Sequence, residues 1–346
     1  MLLKRLTNAL GVSGNEGAVR NLILEELEGH VDEVKVDRMG NIIAVKNGEK
    51  DGINIALTAH MDEVGLMVKG IDKDGLIKFA TIGGIDSRIL VSKPVIIGDN
   101  RIPGVIGAKA VHMQKPDERK KAIAIDELYI DIGSKSKKET ENIVSVGDYI
   151  YFDSEYVEFG NNRIKAKALD NRVGCGILIE LLKQPQKVTV TGIFTVQEEI
   201  GLRGAEVAAN QVDVDLAIII EGTTCSDVSA IDPHLQVTSL DLGPAISVMD
   251  RTSIYNRKYI DLMIDIAKEN NIPWQYRRAS FGGNDAGRFH TAKGGTPCVS
   301  VAVPCRYIHS PVSVLSKDDY NNTLALLSRF IEKANSYENI FKQSLR

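Results

Sequence analysis

No stretch of the 346 residues approaches the ~18 consecutive apolar residues that a membrane helix requires, so a spanning segment is excluded as a reading of this chain. Long basic runs with interleaved aromatics are also missing. Lys and Arg number 42 against 46 Asp and Glu, a net charge of -4, which argues against a phosphate backbone as partner. The four cysteines, Cys175, Cys225, Cys298 and Cys305, lack the close pairing of a zinc ribbon or a disulfide framework and read as reduced and mostly buried. Internal repeats and low-complexity segments are absent too. Residues 1–10 carry Lys4 and Arg5 with no apolar core behind them, so the expectation is a cytoplasmic protein.

What is present is an ordinary globular composition, 43% hydrophobic and 25% charged, in a chain longer than one core usually supports. Two domains are expected. Ser13-Gly14-Asn15-Glu16 has the form of a capping box, and Val19, Leu22, Ile23 and Leu27 follow at helical spacing, which predicts a helix to about Glu28. Residues 40–45 and 53–59 read as strands, the second apolar enough to be covered on both faces. From 67 to 163 short alternating runs, at 76–80, 94–97, 127–132 and 148–152, are punctuated by Gly and Pro and predict a small β-barrel-like insert. Within it, residues 114–121 form a charged loop that reads as solvated. After Asp170 a helix at 173–182, strands at 188–196 and 216–220, a helix at 255–270 and a strand at 298–303 restore an α/β alternation. The expected architecture is a mixed-sheet α/β/α sandwich formed by residues 1–66 and 164–346, with 67–163 inserted as a β-domain.

The candidate chemistry falls at the strand ends. The strand at 53–59 delivers His60 and then Asp62, the one at 188–196 delivers Glu198 and Glu199, the one at 216–220 delivers Glu221, and the last leads through Pro304 to His309. In open α/β sheets the ligand crevice lies beyond the carboxyl ends of the strands, so groups far apart in sequence can converge there. Asp170, at the turn into a helix, adds another. A single such residue is commonplace, and only the joint pattern carries weight. Two imidazoles and several carboxylates without a thiolate suit Zn²⁺, Co²⁺ or Mn²⁺. Glu198 and Glu199 are adjacent and divide two tasks, metal binding and holding the attacking water, with Gly201 allowing a tight turn behind them.

Ala59-His60-Met61-Asp62-Glu63, Ala168-Leu169-Asp170-Asn171-Arg172, the run from Gln197 to Ala205, Gly282-Gly283-Asn284-Asp285-Ala286 and Arg306-Tyr307-Ile308-His309-Ser310 resemble the TET-type aminopeptidases, metallopeptidase family forty-two. The resemblance implies two divalent metal ions per subunit, Asp170 bridging them, Glu199 and His309 completing one and His60 and Glu221 the other. It further implies Glu198 as general base, Asp62 orienting His60, a cis peptide at Asp170–Asn171, short peptides as substrates and a twelve-subunit tetrahedral shell built with the insert. Many members carry Asp at the position of Glu221, which bears on metal geometry. Asp285 is expected to cap a helix or support the metal shell, His290 to lie on that helix, and Arg306 to face either the pocket or an internal salt bridge. Three rival readings are a related two-metal deacylase or carboxypeptidase, a glycoside hydrolase with two carboxylates and no metal, and a non-catalytic peptide-binding shell.

Overall fold

The computed structural model describes residues 1–49, 52–229, 231–278 and 281–337. The chain opens with helices α1 (Leu2–Asn8) and α2 (Gly17–Leu27), then strands β1 (Glu33–Val36), β2 (Ile42–Lys46) and β3 (Asn54–His60). Six strands follow: β4 (Gly65–Ile71), β5 (Ile77–Ile82), β6 (Pro94–Ile97), β7 (Ile102–Gly107), β8 (Tyr129–Asp131) and β9 (Tyr149–Phe152), with the short α3 (Lys137–Glu141) before the last. The chain then continues through β10 (Val157–Phe159), β11 (Arg163–Ala166), α4 (Leu169–Leu182), β12 (Thr189–Thr195), α5 (Arg203–Ala209) and β13 (Leu216–Cys225). It ends with β14 (Ala245–Ser247), α6 (Arg257–Glu269), β15 (Gln275–Arg277), α7 (Ala286–Phe289), β16 (Cys298–Arg306), β17 (Ser313–Ser316) and α8 (Lys317–Lys333).

These elements make an α/β/α sandwich around one large mixed sheet, ordered β1-β2-β12-β3-β13-β16-β17-β11-β10, with β14 and β15 attached to β16. Four central strands, β12, β3, β13 and β16, pair in parallel, so their carboxyl ends share one rim. Parallel strands covered by helices on both faces must be apolar on both faces, and β3, β13 and β16 are buried nearly throughout. Helix α4 is covered on nearly every side: twelve of its residues, Asn171 and Arg172 among them, are buried where it crosses β3 and β13 beside α1, α2 and α8. On the other side α5 and α7 pack on β12, β13 and β16.

The insert closes into a separate barrel, β4-β5-β8-β7-β6-β9. Its core, including Leu66, Ile77, Phe79, Ile97, Ile130 and Ile150, is distinct from that of the sandwich. The barrel strands run from Gly65 to Phe152, whereas β10 pairs with β11 and β11 with β17 at the edge of the large sheet. All four cysteines are buried and free.

Two local expectations are corrected. Ser13 does not cap α2; its hydroxyl donates to Asp62 Oδ2 at 2.6 Å, and the helix starts after Glu16, whose carboxylate accepts from the amides of Gly14 and Gln197. The strands expected to stop at Ile220 and Val303 continue to Cys225 and Arg306 in one parallel ladder, because neighbours on both strands are still pairing beyond the first polar residue. Arg306 forms a two-pronged ion pair with Asp227, at 2.6 and 2.8 Å, so it belongs to the fold's own salt bridges.

Candidate metal centre

His60, the last residue of β3, points its Nε2 at three carboxylates: Asp170 Oδ1 at 3.4 Å, Glu221 Oε2 at 3.5 Å and Glu198 Oε2 at 3.9 Å. His309 follows β16 through two left-handed residues, Tyr307 and His309 itself, and its Nε2 lies 3.2 Å from Glu199 Oε2 and 3.6 Å from Asp170 Oδ2. Asp170 therefore offers one oxygen to each histidine. Asp62 adds an outer carboxylate, so the sequence-predicted residues His60, Asp62, Asp170, Glu198, Glu199, Glu221 and His309 all meet at the rim where the parallel strands end.

Each group is held from behind. His60 Nδ1 is 3.2 Å from the main-chain carbonyl of Asp62 and 3.4 Å from its Oδ1. The Asp62 carboxylate has a second task. It accepts from the amides of Glu198 (3.0 Å) and Glu199 (3.2 Å) and from Ser13, which fixes the turn that carries both glutamates. That turn needs Gly201, whose φ of +118° is closed to other residues. His309 Nδ1 meets the carbonyl of Gly84, 3.1 Å away in the loop after β5, so the insert helps to set this ring.

The expected cis peptide is present at Asp170–Asn171. The Asn171 side chain donates to Ile220 O (2.7 Å) and Glu221 Oε2 (3.0 Å), holding the Glu221 carboxylate against the cluster. Gly222 permits this closeness, since a Cβ there would lie 3.0 Å from the Cα of Asp170.

Electrostatics in this pocket are dominated by buried negative charge. Burial pushes Glu198 and Glu221 well above the usual carboxylate range, each further raised by neighbouring carboxylates and opposed by His60. Glu199 is raised to about 7 by burial and by Asp170, against the pull of His309. Burial opposes charge on His60 and His309, yet surrounding carboxylates outweigh it, lifting His60 well above its ordinary value and His309 to about 9. Asp170 resists its own burial through both imidazoles and stays at about 2. Asp62 is likewise lowered despite burial, by His60, Ser13 and the Glu198 amide.

Asp285 does not cap α7 through its side chain. Its Oδ2 accepts from Thr195 Oγ1 at 2.5 Å beneath the cluster, and burial raises it to about 6. His290 is exposed, as are His30, His112 and His234.

Asp170 Oδ1, Glu221 Oε1 and Asp285 Oδ1 are buried without a hydrogen-bond partner, an arrangement that a cation would satisfy. Three overlapping sets of potential ligand atoms, each within 4.8 Å of one another, are His60/Glu198/Glu199, His60/Asp170/Glu221 and Asp170/Glu199/His309. The donors are nitrogen and oxygen alone; the nearby Cys175 thiol donates to the His60 carbonyl instead. The residues fit a borderline or hard dication. Sequence reasoning missed Ser13, Gly84 and Asn171 as supports. Only Asn171 carried a signal, its place beside Asp170.

A cleft that gathers imidazoles and surplus carboxylates at the strand ends of an α/β sheet is that of a metal-dependent hydrolase. The chain belongs to the peptidase family described as M42 glutamyl aminopeptidase, whose model matches residues 40–326. A candidate aminopeptidase of Acetivibrio thermocellus is 40% identical over 328 residues, 94% of this chain and 96% of that one. The crystal structure of a TET aminopeptidase from a marine sediment Thaumarchaeota archaeon superposes with a TM-score of 0.94 at 37% identity, covering 98% of both chains. The TET1 peptidase of Pyrococcus horikoshii, described as assembling into a tetrahedron or a large octahedral shell, gives a TM-score of 0.83 at 31% identity, covering 95% of this chain and 98% of that one.

Proposed function

We propose that the protein removes N-terminal residues from short peptides with two divalent cations, Zn²⁺ or Co²⁺ with Mn²⁺ as a third candidate. Asp170 would bridge the cations, His60 and Glu221 would complete one site and Glu199 and His309 the other. The observation that carries this reading is the splitting of Asp170, with Oδ1 toward His60 and Oδ2 toward His309, each imidazole paired with its own glutamate. When bound, the cations lower the pKa of a water molecule and polarise the scissile carbonyl. Glu198 takes up the proton of the attacking water on its carboxylate and returns it to the departing amine, a task suited to a buried carboxylate whose proton affinity is raised. Asp62 positions Glu198 through its amide and His60 through its ring. A substrate α-amine would bind beside Glu221, whose carboxylate is steadied by Asn171, and an internal peptide bond has no such group to offer, so a free N-terminus would be the feature recognised.

The family membership and the barrel's exposed apolar residues, Val105, Val111, Met113 and Val146, support a homododecameric shell built through the inserted barrel, whose strands run from Gly65 to Phe152 rather than over the expected 67–163. Such a shell would admit short peptides and spare folded proteins in the cytoplasm. Among the described residues no helix is long and apolar enough to cross a membrane.

The test is hydrolysis of aminoacyl p-nitroanilides and their N-acetylated counterparts after chelation and resupply of each metal. Metal-restored cleavage of the free-amine substrates alone is expected. Cleavage restricted to the acetylated set would replace this reading with a deacylase.

A further inference from the structure

The turn that carries Glu198 lies past the end of β12, which stops at Thr195. Its amides find side-chain acceptors brought from elsewhere in the chain. Val196 N donates to Asn41 Oδ1 at 3.0 Å, Gln197 N to Glu16 Oε1 at 3.2 Å, Glu198 N to Asp62 Oδ1 at 3.0 Å and Glu199 N to Asp62 Oδ2 at 3.2 Å. Gln197 is left-handed, with φ of +55°, a conformation that a residue other than glycine keeps only where its surroundings hold it.

We propose that Glu16 is a positioning residue for the catalytic base: by holding the Gln197 amide it fixes the left-handed turn that aims the Glu198 carboxylate into the cleft. The inference rests on the reading of Glu198 as base and goes past it, since that reading stops at Asp62.

Three features single out Glu16. First, its side chain does not act where its position would use it. Glu16 is the N-cap residue of α2, yet its carboxylate makes no capping bond to that helix; Oε1 turns back to the Gly14 amide at 2.7 Å and across to Gln197, 181 residues away. Second, the side chain is 4% exposed, and among the described residues it forms no ion pair. Burying a carboxylate without a cation is unfavourable, so packing alone does not account for an acid here, whereas an acceptor oxygen at this reach does. Third, the segment that carries Glu16 is anchored on both sides. Ser13 N donates to Glu63 O at 3.3 Å and Ser13 Oγ to Asp62, while Asn15 Nδ2 donates to the Tyr151 hydroxyl on β9 at 2.7 Å. Oε1 is thereby a fixed point against which the turn is set. Neither Glu16 nor Gln197 lines the cleft, so Glu16 acts through the turn and touches no substrate.

The experiment measures kcat, KM and bound metal of the full-length, metal-loaded enzyme on the aminoacyl p-nitroanilide that the unmodified enzyme cleaves fastest, in two variants that separate reach from charge. Glu16→Gln keeps an acceptor oxygen at the same reach without the charge. Glu16→Asp keeps the charge and withdraws it by one methylene. Glu16→Gln should hold kcat within about 3-fold, whereas Glu16→Asp should lose about 10-fold or more, the scale of a small misplacement at a reacting group, with KM and metal content unchanged. In a Glu198→Gln background, adding Glu16→Asp should cost little further, because losses that act through one group do not multiply. Equal kcat in the two variants, an order reversed in favour of Asp, or a full further loss in the Glu198→Gln background overturns the assignment and leaves the base reading intact. Retained turnover in Glu198→Gln alone removes the base and the role of Glu16 with it. Failure of the unmodified enzyme to cleave any amide removes the aminopeptidase reading as well.

Discussion

At the scale of single residues the site is a set of acids and imidazoles that hold protons in each other's place. Without a cation, Glu199 keeps a proton up to about 7 and His309 up to about 9. Both must lose it to ligate, so the metal-free protein binds more protons than the loaded one, and linkage fixes the sign: metal affinity rises with pH from about 6 to 9 and each binding event releases protons. Calorimetric titration of Zn²⁺ or Co²⁺ into the chelated protein, in buffers of differing ionisation enthalpy, measures that release directly. Uptake independent of pH would remove Glu199 and His309 from the ligand set. Glu198→Gln separates catalysis from binding at the same scale. Metal content and the unfolding transition should be kept while turnover drops by about 100-fold or more, and retained turnover would deny Glu198 its role as base.

Elements explain why most of this cluster was legible before the fold was known. Strands buried on both faces are written as largely apolar runs, and the polar residues just past each run mark the rim, which is how His60, Glu198 and Glu199 could be located. The same rule ended β13 and β16 too early, because a strand inside a parallel sheet keeps pairing while its side chains turn polar toward a site. The capping-box reading of Ser13 failed differently. Its local pattern was sound, but Asp62, 49 residues away, offered the hydroxyl a buried acceptor. Supports such as Gly84, 225 residues from His309, had no sequence pattern at all, since the contact is made by a main-chain carbonyl. Close packing of α4 on β13 yields a prediction that belongs to this scale. In Gly222→Ala the new methyl would stand 3.0 Å from Asp170 Cα and 3.2 Å from its Cβ. Displacing that backbone costs about 1–3 kcal/mol, and because Asp170 faces both histidines, metal affinity should weaken by about 10-fold or more while secondary structure by circular dichroism stays the same.

For the whole molecule the decisive contact is the junction between sandwich and barrel. Glu63, in the link from β3 to β4, is buried with two cations: Lys167 Nζ at 2.6 and 2.9 Å and Arg172 Nη2 at 3.2 Å. Arg172 also donates to the carbonyls of Leu6, Ala9, Gly11 and Met61, and Lys167 to that of Ala9, so one network joins the N-terminal segment, the start of α4 and the barrel's entry strand. Its acid is outnumbered by its cations, and removing it would leave two positive charges buried without an anion. Glu63→Ala is therefore expected to lose about 3–5 kcal/mol of stability, read as a lowered midpoint in urea unfolding. Both cations flank Asp170 in sequence, and the same network meets β3 and β4, so the loss should reach the two ends of the molecule together. Amides of α1 and of β4 should both gain hydrogen-exchange rate in the variant. Faster exchange confined to the barrel would show that the junction is held by the barrel's own packing and that the ion network is incidental to it.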